Sequence, residues 1–190
     1  MSIDDDQQEP AEQHTDPLGD PYLRTRFTLP SRPVTFLSRP RLKERLDHSP
    51  HTLLTMVNGA AGAGKTLLLA DWAAGLPRPV AWLTMEAQEK RPGMFWAYFL
   101  HAVRTSGRRL SDRIRGPADA YHVDRRLLTA IAEDLAIAEP PVTVVLDEYE
   151  RVTEPEIAEQ LEFVLQHAGR GLRLVLVTRT EPMLSLHRYR

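Results

Sequence analysis

The run Gly59-Ala60-Ala61-Gly62-Ala63-Gly64-Lys65-Thr66 fits the spacing G-x-x-x-x-G-K-[ST], and it constrains this chain more than any other feature. Phosphate oxygens are gathered by backbone N–H groups, so the side chains around them must be small enough to let the main chain close in. Every position before Lys65 is Gly or Ala. A helix that starts near Lys65 turns the positive end of its dipole toward the phosphates, Lys65 reaches the β- and γ-phosphates, and the Thr66 hydroxyl ligates Mg²⁺. The flanks suit this Walker A reading. His51 to Val57 holds Leu53, Leu54, Met56 and Val57 and reads as a buried strand, and Lys65 to Ala74 is a Leu- and Ala-rich helix ended by Gly75 and Pro77.

A second strand, Val142 to Leu146, runs into Asp147 and Glu148. Open α/β sheets bind ligands at the carboxyl ends of their strands, so Asp147 is expected to hold the hydration shell of Mg²⁺. Glu148 is then the candidate base for the attacking water. Leu172 to Thr178 is a further apolar strand, and Arg179 at its tip can match γ-phosphate oxygens with its planar guanidinium. The candidate catalytic residues are thus Glu148, Lys65 and Arg179, and the candidate metal ligands are Thr66 and Asp147. Val80 to Thr84 completes a set of four strands. Helices are expected at Arg39 to Leu46, Pro92 to Arg104, Asp124 to Ala138 and Glu156 to Ala168, the last with Thr153 and Glu156 as a capping box. The aromatic stripe Phe95, Trp96 and Phe99 reads as core. Strands that alternate with helices and read as near-continuous Val/Leu runs imply a parallel α/β sheet.

At 190 residues with 42% hydrophobic and 26% charged residues, the chain suits one soluble domain. No apolar run approaches the roughly 18 residues that span a bilayer, and the acidic start lacks a signal-peptide pattern, which predicts a cytoplasmic protein. With no cysteine, disulfides and thiolate metal sites are excluded, and the seven His are scattered singly. The net charge of −2 does not suit a nucleic-acid binder. Residues 1–23 carry Asp and Glu with no Lys or Arg before Arg24, and are expected to be a disordered acidic tail. Residues 24–50 form a basic lead-in with a short helix, and residues 51–190 the nucleotide-binding domain. Arg104, Arg108, Arg109, Arg113 and Arg115 read as a solvated face, with a phosphate-contacting patch as the alternative.

Several segments together resemble the N-terminal ATP-binding domain of the STAND-type P-loop NTPases, specifically the large ATP-binding LuxR-type transcriptional activators that include the maltose regulator. The resemblance is carried by Arg39-Pro40-Arg41-Leu42 with Glu44-Arg45-Leu46, Asn58 to Leu69 with Asp71-Trp72, Val80 to Leu83, Phe95-Trp96, and Leu174 to Arg179 with Glu181-Pro182. It implies a three-layer P-loop NTPase sandwich with a mostly parallel sheet in RecA/AAA-like order, lacking its last strand. It also implies that ATP is the nucleotide and Mg²⁺ its metal, that binding promotes self-association, and that slow hydrolysis resets the switch. The resemblance carries nucleotide contacts over to Gly59, Gly64, Lys65 and Thr66. The candidate cofactor-binding set is the whole loop, Gly59, Ala60, Ala61, Gly62, Ala63, Gly64, Lys65, Thr66 and Leu67, the last through its backbone N–H where a second hydroxyl residue is common in the family. Asp147-Glu148-Tyr149-Glu150 replaces the commoner Asp-Asp-Tyr-His. The family's fifth strand, winged-helix, repeat and DNA-binding regions have no counterpart here, so the chain is expected to be a shortened or fragmentary relative that does not itself contact DNA. Two alternatives remain: a P-loop kinase of a small molecule, and a non-catalytic interaction module.

Overall fold

Four apolar runs pair edge to edge as β1 (Leu54–Asn58), β2 (Val80–Thr84), β3 (Val142–Asp147) and β4 (Leu172–Thr178), all parallel, in the order β1-β4-β3-β2. The computed structural model describes residues 15–48, 52–86, 90–182 and 184. Parallel neighbours need crossovers, and helices supply them: α2 (Lys65–Ala73) between β1 and β2, α3 (Pro92–Thr105) and α4 (Arg125–Ala136) between β2 and β3, and α5 (Pro155–Ala168) between β3 and β4, while α1 (Pro40–Asp47) precedes β1.

Alternation along the strands sends side chains to two cores. Leu172, Leu174 and Leu176 of β4, with Val142, Val144 and Leu146 of β3, pack against Phe95, Trp96 and Phe99 of α3 and against α4 and α5. Val145, Val175 and Val177 face the other way, onto Leu69, Trp72 and Ala73 of α2. The result is a sheet between two helix layers. The Phe95, Trp96 and Phe99 stripe is core, with ring centroids of 5.1 to 6.2 Å between its members. Among the described residues the outer edge of β1 has no strand beside it, as the order lacking a last strand predicts.

The basic lead-in is fastened to α2 by one buried carboxylate. Asp71 is 4% exposed and accepts hydrogen bonds from Ser38 Oγ and Lys43 Nζ, each at 2.9 Å, and from Arg32 Nη1. The Lys43 hydrogen bond is the largest influence, and with Ser38 and Arg32 it outweighs desolvation to hold Asp71 below the ordinary carboxylate range. A lowered folded pKa means that this contribution is complete above the unfolded value of 3.8 and is lost as pH falls below it, through the folded value. Because Arg32 and Lys43 are partly open to solvent, Asp71→Ala is expected to cost about 2 kcal/mol, less than breaking a fully buried pair. Thermal melts at pH 7 check this, and the gap between parent and variant should shrink below pH 3.8.

The structure departs from three sequence expectations. Of the tail expected to be disordered, residues 1–14 lie outside the described residues, and Thr15–Leu23 adopt a defined course. Asp16, despite its charge, is 6% exposed; it accepts the backbone N–H groups of Leu18 and Asp20 and the Tyr98 hydroxyl, and Tyr22 stacks on His101 at 4.1 Å. A carboxylate that satisfies its own turn and one aromatic anchor offset the unfavourable composition. The capping box does not form: α5 starts at Pro155 with Glu154 as the cap residue and no side-chain cap, because proline at the first helical position sets the start one residue too late for Thr153. Finally, β4 is not wholly apolar. Arg173 is 3% exposed, donates from Nη2 to Leu46 O at 2.7 Å, and lies 4.9 Å from the Trp72 ring centre.

Candidate nucleotide-binding site

The carboxyl ends of β1, β3 and β4 lie along one edge of the sheet, since Asn58 is level with Thr178 and Thr84 with Asp147. β1 therefore delivers the glycine loop, β3 its acidic pair and β4 Arg179 to a common cleft of ≈ 280 Å³. The loop turns on Gly62 and Gly64, whose φ angles of +74° and +76° fall in the left-handed region that residues with a Cβ avoid. Gly64 is also the N-cap of α2, so the helix begins at Lys65. In an α-helix the N–H groups of the first turn have no intrahelical acceptor, which leaves those of Lys65, Thr66 and Leu67 facing the cleft mouth.

Lys65 folds back over the loop, and its Nζ donates to Gly59 O at 2.6 Å and Ala60 O at 3.0 Å. Its charge thus sits beside main-chain oxygens rather than a carboxylate. Thr66 Oγ1 donates to Asp147 Oδ1 at 3.2 Å across 81 residues of sequence. Asp147 is 4% exposed, and burial raises its pKa from 3.8, opposed by the Thr66 hydroxyl and the Glu148 N–H and reinforced by the charges of Glu148 and Glu150. A hydroxyl and a carboxylate in contact at the mouth of such a loop are the hard oxygen donors that Mg²⁺ takes alongside water, so the donor set fits that ion.

Glu148 has φ +56° and ψ +38°, and its carboxylate is met by Arg151 Nε at 2.5 Å and Arg179 Nη2 at 3.8 Å. Arg179 also reaches Glu150 Oε1 through Nε at 3.1 Å. Every predicted site residue other than Gly59 and Ala60 lines the cleft, and these two accept the Lys65 ammonium. Two residues were missed as site members. Glu150 and Val177 line the cleft too, and Glu150 had a visible signal in the run Asp147-Glu148-Tyr149-Glu150. Arg39 Nη1 donates to Ala63 O at 3.1 Å, so the N-cap residue of α1 braces the glycine loop; nothing in a linear pattern announces that contact. The Arg104 to Arg115 cluster lies elsewhere: Arg104 donates to Ile114 O, Arg113 pairs with Glu133 and Asp134, and none of its members lines this cleft.

Asp147→Asn separates stability from function here. Since the folded pKa is raised, the carboxylate loses stability as pH climbs from 3.8 through the folded value, and it is a liability at neutral pH. An amide keeps the oxygen that accepts from Thr66 and Glu148. The variant is expected to melt about 2–4 °C higher without ligand, on the order of 1 kcal/mol, and to lose its response to Mg²⁺ in nucleotide titrations. Differential scanning calorimetry and titration with and without Mg²⁺ check both halves.

A family model described as AAA domain matches residues 49–182. The chain belongs to the AAA domain family. Within that family it is similar to the HTH-type transcriptional regulator MalT of Cronobacter sakazakii and of Serratia proteamaculans, each 30% identical across 82% of this chain. The chain spans 18% of the length of either relative. Among solved structures it is similar to Cdc6p from Pyrobaculum aerophilum, with a TM-score of 0.50 and 16% identity over 83% of this chain and 43% of that one. That likeness shows the α/β fold alone; the AAA-domain match, with its P-loop, is what supports a nucleotide-binding module. No helix among the described residues is long and apolar enough to cross a membrane.

Proposed function

We propose that this AAA domain is an ATP-binding, slowly hydrolysing switch of a cytoplasmic transcriptional regulator related to MalT. The observation that carries the reading is the meeting of Thr66 with Asp147 beneath a loop turned by Gly62 and Gly64. Backbone N–H groups from Gly59 to Leu67 and the Lys65 ammonium hold the β- and γ-phosphates. Thr66 and Asp147 hold Mg²⁺, which when bound neutralises phosphate charge. Glu148 accepts a proton from the attacking water, and Arg179 exchanges Glu150 for the γ-phosphate. Nucleotide state then governs self-association, residues 24–50 act as a lead-in braced on the P-loop through Arg39, and DNA contact belongs to regions outside these 190 residues. The arginine cluster expected of a small-molecule kinase does not reach the cleft, which favours hydrolysis over transfer to an acceptor.

Glu148→Gln tests the assignment. It is expected to keep ATP affinity within a few-fold while slowing hydrolysis by about 10²–10⁴, the usual weight of a general base. Calorimetric titration and single-turnover phosphate release measure the two quantities separately. Unchanged hydrolysis in the variant would remove Glu148 from the mechanism.

A further inference from the structure

Two arginines hold the Glu148 carboxylate, and the role inferred for one of them rests on the reading of Glu148 as the base. They differ in position. Arg179 lines the cleft and is shared with Glu150, so phosphate can draw it away from Glu148. Arg151 is not a cleft residue, yet its Nε donates to Glu148 Oε2 at 2.5 Å. The backbone builds this contact: Tyr149–Arg151 is a 3₁₀ turn, Arg151 N donates to Glu148 O at 3.0 Å, and the turn carries the guanidinium back over the residue three positions earlier. Glu148 is the one non-glycine among the described residues with positive φ, a conformation costing roughly 1–2 kcal/mol that persists where surrounding contacts fix it. A carboxylate whose lone pairs are directed at a guanidinium has fewer to direct at water, and must release that partner before it takes a proton.

We propose that Arg151 is a positioning residue that holds Glu148 in a resting orientation, so that separation of the Arg151–Glu148 pair limits the rate of ATP hydrolysis. Binding is untouched, because Arg151 lies outside the cleft. The Arg151 side chain is 48% exposed, so the pair is open to screening and worth a small factor rather than a large one.

The test is single-turnover hydrolysis of saturating Mg-ATP by the full chain as parent, Arg151→Gln, Glu148→Gln and the double variant. Melting curves confirm that each is folded. Arg151→Gln is expected to hydrolyse about two- to fivefold faster, the rate equivalent of an exposed ion pair, with ATP affinity unchanged within twofold. Raising salt should speed the parent and leave Arg151→Gln unmoved, a response that a merely structural arginine does not produce. The double variant should be as slow as Glu148→Gln. If Arg151→Gln is no faster than the parent while Glu148→Gln is slow, the latch is overturned and the base assignment stands. If Glu148→Gln matches the parent, the base assignment fails and the latch falls with it. Should parent turnover lie below detection, its appearance in Arg151→Gln supports the latch and its continued absence overturns it.

Discussion

Gly171→Ala is expected to lower the melting temperature by about 6–12 °C, or to prevent folding. A Cβ built on Gly171 lies 1.8 Å from Leu135 O and 2.8 Å from Leu135 C, so the added methyl meets main chain at the C-terminal end of α4. No rotamer relieves a clash with backbone; α4 or the start of β4 has to move, and both sit in a core at native packing density. Overpacking of this kind costs about 3 kcal/mol or more, which at roughly 2–4 °C per kcal/mol for a chain of this size gives the stated fall. Gly93→Ala belongs with it, because its Cβ lies 1.8 Å from Asp119 O where α3 begins. Gly75→Ala is the control: its nearest neighbour, Trp72 O, is at the ordinary distance of 3.5 Å, and its melting temperature should stay within a few degrees of the parent. Thermal melts of the three variants decide the matter. Equal stability of Gly171→Ala and Gly75→Ala would mean that α4 does not abut the start of β4.

Lys65→Ala is expected to weaken Mg-ATP binding by about a hundredfold, the weight of strong charge-assisted hydrogen bonds to phosphate. A ligand at a thousand times its Kd stabilises a folded protein by about 4.1 kcal/mol; for the variant at the same concentration, the excess drops to about tenfold and the stabilisation to about 1.4 kcal/mol. Without nucleotide, the loss is slight, since Lys65 Nζ only bridges the carbonyls of Gly59 and Ala60 at a half-open site where water replaces it. The contrast between a small apo effect and a large ligand-bound one marks a binding residue. Calorimetric titration measures it directly, and equal affinities in parent and variant would exclude Lys65 from the site.

The strands were legible because buried parallel strands announce themselves as unbroken Val and Leu runs. Val80–Thr84 and Leu172–Thr178 coincide with the expected bounds, whereas β1 begins at Leu54 rather than at His51, which lies outside the described residues. Apolar content shows that a strand passes, but the ladder fixes where pairing starts. The glycine loop was legible for a different reason: two positive φ angles beside a helix start require Gly at fixed spacing. Contacts between segments distant in sequence left no such trace. The brace from Arg39 to Ala63 O, the staple at Asp71 and the burial of Arg173 join distant segments through single charged side chains that look like ordinary surface residues in the linear sequence. Gly171 likewise reads as a strand boundary, and only the packed structure shows that α4 requires it to lack a side chain.

The central claim, that Gly59 to Thr66 and Asp147 form a working Mg-nucleotide site, is tested most directly by unfolding the purified parent chain with and without Mg-ATP. With nucleotide at a thousandfold excess over Kd the melting temperature is predicted to rise by about 8–16 °C, and Mg²⁺ alone should move it little. A cooperative transition at the same temperature with and without millimolar Mg-ATP would contradict the account.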